Sequence, residues 1–286
     1  MEKSFLKCAV VIPIYKENPV KFELISFVQC LKILHEYTVF LVAPDGFSLN
    51  TYQSYCNNKT QVIYFKKNFF KNIKGYNKLL TSKIFYKSFE MFEYILIYQL
   101  DAYVFKNELD TWCKKGYDYI GAPWFKGLHK NLSTNLEAVG NGGFSLRKIN
   151  SFQNLLNNWE AYFNVRHIIK SNYIKKKTKI ILLSYKLFSL FTFRKVKLNL
   201  NNLFLENEDY IFSLIFSKEL NLLSIPSPSI ALTFAFEMNP SFLYEVNNKK
   251  LPFGCHGWYK HDIDFWKKFI ETDLIKNIAD AKATKI

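Results

Sequence analysis

The stretch YILIYQLDAYVF, Tyr94 to Phe105, constrains this chain more than any other. A β-branched and aromatic run of this kind predicts a buried strand, over Tyr94–Tyr103. A single acid, Asp101, interrupts it. An unpaired carboxylate in such a strand would cost several kcal/mol of desolvation, so it must be paired, neutralised or bound to a cation. Asp101 is therefore expected at the strand's carboxyl end, facing a crevice, where open α/β sheets place their ligands.

The flanking segments supply such a sheet. Cys8–Tyr15, Thr38–Gly46 and Gln61–Phe65 read as strands. Between them Phe22–Glu36 carries apolar residues at helical spacing, and Tyr76–Phe92 reads as a helix before the Asp101 strand. Strand and helix in alternation predict a doubly wound, mostly parallel sheet with flanking helices. Further along, Glu108–Lys115 reads as a short helix and Tyr117–Ala122 as a strand. AVGNGGFSLRK reads as a glycine-rich turn into a strand, and Ser151–Phe163 as a helix. Leu205–Leu220 is expected to be helical, SIPSPSIALTFAFE to hold a late strand, and Asp262–Ile275 to form a final helix. With no internal repeat and no clear linker, residues 1–286 are expected to form one catalytic domain, interrupted by an insertion at 164–204.

Composition narrows the setting. Glu2 and the following KSFLKCAVVIPIY read as a lead into a strand, not a secretory signal. The five cysteines are scattered, without CxxC or zinc spacing, which favours a reduced, cytoplasmic setting. The formal charge is +15, and ten of the basic residues fall between Ala161 and Leu205, a span with no Asp or Glu. Without those ten the balance is +5, so the basicity is local.

Several residues outside the first strand bear chemistry. Asp101 offers hard oxygen ligands suited to Mg²⁺ or Mn²⁺ bridging a diphosphate. Asn141 and Gly142 lie in GNGGFSLR, a turn able to bring backbone N–H groups to a donor sugar or an acceptor. It is no P-loop, since lysine and spacing are wrong. Glu206, Glu208 and Asp209 precede a helix, where acids favour the dipole and one of the three needs no further reason. His256 lies between two glycines in FGCHGW and reads as a structural histidine or as a metal or diphosphate contact.

Six strings together resemble the GT-A-type glycosyltransferases, and most closely the bacterial family called domain of unknown function 5672. They are VVIPIYKE, QLDAYVF, YDYIGAPW, GNGGFSLR, NEDYIFS and FGCHGW, in that order. The resemblance implies a donor pocket at Pro13, Tyr15, Glu17, Asp45 and Tyr103, with Lys78 either reaching the diphosphate or a solvated surface lysine, and Trp124 either lining the sugar site or in the core. It implies Glu208 or Asp209 as the base that deprotonates an acceptor hydroxyl, with Asp209 slightly preferred. It also implies His256 as a metal ligand beside Asp101. Such enzymes usually carry Asp-x-Asp, but here Tyr103 stands where the second acid would be. Either Asp101, His256 and diphosphate oxygens hold the metal, or Asp101 binds ribose and metal binding is weak or absent.

The expected function is transfer of a sugar from a nucleotide-sugar donor, with UDP-sugars favoured, to a glycan. A bacterial surface polysaccharide or lipid-linked oligosaccharide is the expected acceptor, and the guessed mechanism is inverting. The rivals are a non-catalytic sugar-binding or membrane-surface module and a nucleotidyltransferase. Within the insertion, IILLSYKLFSLFTF is too short and too interrupted by Lys186 to span a bilayer, which needs ~20 apolar residues. Flanked by KKKTK and RKVK, it reads either as an interfacial helix on an anionic membrane, at the inner face of the cytoplasmic membrane, or as a helical hairpin packed on the domain. Nucleic acid fits poorly, because the lysines are interleaved with Ile, Leu and Phe.

Overall fold

The computed structural model describes residues 6–127, 134–162, 165–174, 176–191 and 207–270. Four parallel strands, β1 (Leu6–Pro13), β2 (Thr38–Pro44), β3 (Thr60–Phe65) and β4 (Phe92–Tyr98), form most of the main sheet. Two two-residue strands follow, β5 (Tyr103–Val104) and β6 (Tyr119–Ile120), then β7 (Ala122–Phe125), β8 (Leu136–Gly140) and β9 (Phe144–Lys148). The six-stranded sheet runs β3-β2-β1-β4-β9-β6, with β9 antiparallel to both its neighbours. β7 and β8 pair as a separate antiparallel ladder. Two short late strands, β10 (Ala235–Phe236) and β11 (Gly254–Cys255), join β5 in a small third sheet.

The sequence alternation explains the main sheet. Along β1, Ala9 and Val11 enter one core cluster, while Cys8, Val10 and Ile12 enter the other. A strand buried on both faces is what a parallel sheet covered by helices requires. Chain connections leave β1 toward β2 on one side and return to β4 on the other. The carboxyl ends of β1 and β4 therefore flank the point where the winding reverses, which is where such sheets bind ligands.

The helices are α1 (Lys21–Ile33), α2 (Asn50–Gln53), α3 (Ile73–Leu80), α4 (Lys83–Lys87), α5 (Leu109–Lys114), α6 (Ile149–Tyr162), α7 (Val165–Lys170) and α8 (Lys176–Phe191). Several expectations are corrected in detail. The helix expected over Tyr76–Phe92 is two, because Ser82 caps α4 by accepting from the Phe85 N–H at 3.3 Å. The strand expected over Tyr94–Tyr103 ends at Tyr98, and a turn carries Asp101. The segment expected to hold a late strand does hold one, the two-residue β10, but it follows an unforeseen helix, Pro228–Phe234, with proline in its first turn. The acid-headed helix begins as one α-turn, Glu208–Tyr210, and continues as a π-helix over Ile211–Glu219. There Leu220 N–H bonds back five residues to Ile215 O. Residues Ile211–Ser217 are all buried, so no polar stripe reports the winding in the sequence. Of the final helix, Ile263–Trp266 is helical, and the expected part beyond residue 270 lies outside the described residues.

Candidate active site

The turn after β4 brings Asp101 against two cations. Lys260 Nζ lies 2.6 Å from its Oδ2, and His256 Nε2 lies 3.2 Å from its Oδ1. The turn is fixed by the Ala102 N–H donating to Gln99 O, and by Trp258 N–H donating to Asp101 O. Burial alone would raise the Asp101 carboxyl, but His256 and Lys260 outweigh it and hold it well below the usual carboxylate range. His256 is pinned from its other side as well, with Nδ1 2.8 Å from Glu237 Oε1. Burial pushes its imidazole down, yet the two carboxylates carry it up to about 10. The result is a line of alternating charge, Glu237, His256, Asp101 and Lys260, at the carboxyl end of the sheet.

The glycine turn abuts this line. A Cβ on Gly143 would stand 2.0 Å from His256 Nε2, so only glycine lets the two segments approach. Replacing Gly143 by Ala should push the imidazole off Asp101. A displacement of about 1 Å costs on the order of 100-fold in rate, so kinetics of Gly143→Ala should show a loss of that order. Unchanged turnover would mean that His256 need not sit where it does. Asn141 sets the turn itself: its Oδ1 accepts from the Gly143 and Phe144 N–H groups at 2.7 and 2.8 Å. Its Nδ2, buried, has no partner among the described residues and is left as a free donor.

The two acids of the NEDY string take different environments. Glu208 is 2% exposed, and its Oε1 accepts from Arg147 at 3.0 Å. Arg147, fully buried, also donates to Tyr86 Oη and Ser145 Oγ and lies over the rings of Tyr119, Phe152 and Phe212. A Cβ on Gly142 would come within 2.9 Å of Glu208 Oε1, so Gly142 is glycine for this contact. Among the described residues Asp209 makes no ion pair, and the Arg147 charge that reaches it is outweighed. Asp209 Oδ1 accepts from the Tyr210 N–H, while burial and the charges of Glu208 and Glu237 push its carboxyl up to about 7. Sequence could not rank the two acids. The structure separates them by giving Glu208 a buried ion pair that Asp209 lacks among the described residues.

A cavity of roughly 280 Å³ opens beyond the ends of β1 and β2, lined by Tyr15, Glu17, Asp45, Phe47, Phe70 and two lysines, Lys67 and Lys71, among others. Burial pushes the Tyr15 hydroxyl up to about 12, and the charges of Glu23 and Asp101 add to that, so Tyr15 lies within electrostatic reach of Asp101. Pro13 is the buried end of β1 and is not among the lining residues.

The structure places three other residues of the expected site as follows. Tyr103 is buried and packs with Phe105 and Trp258, because β5 pairs it with Cys255 and turns it into the third core cluster. Trp124 is 7% exposed and packs with Ala138 and Leu214, its ring filling the space over Gly140. Lys78 is exposed on α3, with no hydrogen bond or ion pair to the charged line among the described residues. Glu206 lies outside the described residues.

Sequence reading missed Glu237, Lys260, Gly143, Arg147 and the lysines of the cavity. Glu237 carried the same signal as Asp101, a lone acid ending an apolar run, in FAFE.

Asp101 and His256 offer one carboxylate oxygen and one imidazole nitrogen to a divalent ion. Among the described residues no three His, Cys, Asp or Glu side chains gather closely enough to hold one together. In the arrangement seen both Asp101 and His256 are already engaged: His256 is held protonated between Asp101 and Glu237, and Lys260 covers the other Asp101 oxygen, so the pair as it stands does not fit a divalent ion.

No curated protein matches the chain. Among solved structures, mouse xyloside xylosyltransferase 1 superposes with a TM-score of 0.50 at 10% identity, covering 88% of this chain and 98% of that one. The Streptococcus pneumoniae glycosyltransferase GlyE gives 0.45 at 10% identity, and the galactosyltransferase LgtC in complex with donor and acceptor sugar analogs gives 0.47 at 10%. GlyE is covered over 64% of its length against 97% of this chain, and LgtC over 86% against 87%. The likeness to the xylosyltransferase speaks for the fold, which is GT-A-like. Residues 59–256, most of the chain, match the family described as "Protein of unknown function (DUF5672)", and the protein belongs to that family.

Proposed function

We propose that this protein is a glycosyltransferase that moves a sugar from a nucleotide-sugar donor, UDP-sugars favoured, to a hydroxyl of a glycan acceptor. The carrying observation is Asp209, an acid with no ion pair among the described residues, raised to about 7 by burial and by the charges of Glu208 and Glu237, the latter also the partner of His256 in the charged line. A carboxylate with a pKa near 7 is suited to take a proton from a hydroxyl. The two cations of that line, Lys260 and the protonated His256, are suited to a departing diphosphate.

In this reading the base and ribose occupy the cavity of Tyr15, Glu17 and Asp45, with an aromatic ring to stack on. Lys260, half exposed, meets the diphosphate from its place on Asp101. Asn141 Nδ2 is a donor for a sugar oxygen. Asp209 takes the acceptor proton, which gives the attack an inverting course. Mn²⁺ or Mg²⁺ would be held at Asp101 only once His256 has lost its proton or turned away, with diphosphate oxygens completing its shell. The acceptors that suit the reading are bacterial surface polysaccharides and lipid-linked oligosaccharides.

A panel of UDP-, GDP- and CMP-sugars, each with and without Mn²⁺, tests the reading. One donor should release its nucleotide, and Asp101→Asn should abolish that release while the folded protein's circular dichroism stays unchanged. Calorimetry should show Mn²⁺ binding weakly alone and more tightly with the nucleoside diphosphate. No turnover of any donor by folded protein, with acceptor extract present, would overturn the reading. Release of pyrophosphate from a nucleoside triphosphate would replace it with nucleotidyl transfer.

A further inference from the structure

The helices that follow α6 present a surface that glycosyl transfer does not explain. α8 has 16 residues, which at 1.5 Å each is about 24 Å of helix. Its inner face is settled by packing: Thr178 and Leu182 are buried, and Leu182 joins Ile168 and Ile174 in the main core. Lys179 Nζ donates to Ile169 O at 2.8 Å, which ties α8 to α7.

At 100° per residue, Lys176, Lys177, Ile180 and Leu187 fall on the opposite face, within an arc of about 100°. All four are exposed, Ile180 at 56% and Leu187 at 59%. Ile169 and Lys170 of α7 are exposed too. A helix face turned to water would carry polar residues of both signs. This one mixes lysine with large aliphatic side chains, and no acid occurs between Ala161 and Leu205.

That chemistry selects the occupant. A second copy would bring the same positive charge against it. A nucleic acid would use the lysines and leave the isoleucines without a role. An anionic bilayer takes both, burying the aliphatic groups at the headgroup boundary and attracting the ammonium groups. No helix among the described residues is long and apolar enough to cross a membrane, so the mode is lying on the surface.

We propose that the outer face of α7 and α8 docks the protein on an anionic phospholipid bilayer, as at the inner face of a bacterial cytoplasmic membrane. Docking there would present the site to an acceptor carried on lipid. The inference stands whether or not the protein transfers sugar, because its test reads binding alone.

Flotation with vesicles of phosphatidylcholine, with or without one quarter phosphatidylglycerol, decides it. The whole protein should float with the anionic vesicles and bind pure phosphatidylcholine at least ~10-fold more weakly. Lys176→Glu with Lys177→Glu should weaken anionic binding by ~10-fold or more. Ile180→Asn with Leu187→Asn should also weaken it, and all four positions are exposed enough for the fold to survive. Equal binding to both vesicle types, or binding that neither double variant weakens, would overturn the proposal. So would binding to single-stranded RNA but not vesicles, or lipid-free dimerisation that Ile180→Asn with Leu187→Asn abolishes.

Discussion

Replacing Asp209 by Asn should lower sugar transfer by about 10²–10⁴-fold, the usual contribution of a positioned general base. Asparagine keeps the shape, and its Oδ1 can still accept from the Tyr210 N–H, so the loss reports the proton acceptor and not the fold. The acidic limb of the rate profile of the native protein should have its midpoint near pH 7, with activity rising as pH rises through it. Glu237→Gln removes one of the negative charges that raise Asp209, so the midpoint should move to lower pH. A pH-independent rate between 5 and 8 would remove Asp209 from the role.

The same carboxyl carries a stability cost with an opposite sign from a salt-bridged acid. Its folded pKa lies above the ordinary carboxylate value, so between about pH 4 and pH 7 the folded chain retains a proton that the unfolded chain has released. Stability therefore falls as pH rises through that window. Asp209→Asn should abolish this slope and leave the protein more stable than the native one at pH 8, by about 1–3 kcal/mol. Thermal melts at pH 4 and pH 8 measure it. An inactive variant that is also destabilised at pH 8 would point to a structural role instead.

The parallel sheet was legible in the sequence because its signal is local. Apolar runs of the right length alternate with helical spacing, and β1, β2, β3 and β4 appear within a few residues of their expected limits. Asp101 was legible for the same reason, as a charge that an apolar run could not accommodate alone. What the sequence hid were facts of distance. Nothing near Asp101 announces that Lys260, 159 residues later, will cover its Oδ2. The glycine turn read as a ligand loop, yet Gly142 and Gly143 are small because Glu208 and His256 press against them. Tyr103 and Trp124 read as site aromatics by proximity to a motif, but strand pairing turns one into the core and Gly140 gives the other a seat. The π-winding after Tyr210 was hidden because the side chains of Ile211–Ser217 are all buried.

Glu208 shows how a functional reading and a structural one can be separated by measurement. Arg147→Met leaves a carboxylate buried without its cation, and breaking a buried pair in this way costs about 3–5 kcal/mol. The aromatic rings around Arg147 deepen the loss, since they cannot solvate Glu208 in its place. Removing both charges, by Arg147→Met with Glu208→Leu, leaves no unpaired ion and should recover most of that stability, as measured by urea denaturation. If Glu208 only holds the turn and the π-helix together, the double variant should also retain much of the native transfer rate. If instead Glu208 takes the acceptor proton, the double variant will be stable and dead, and the assignment of Asp209 as base fails. The two acids are neighbours in sequence, but among the described residues Glu208 alone is paired with a cation, so exchanging it together with Arg147 tests a structural role and exchanging Asp209 a chemical one.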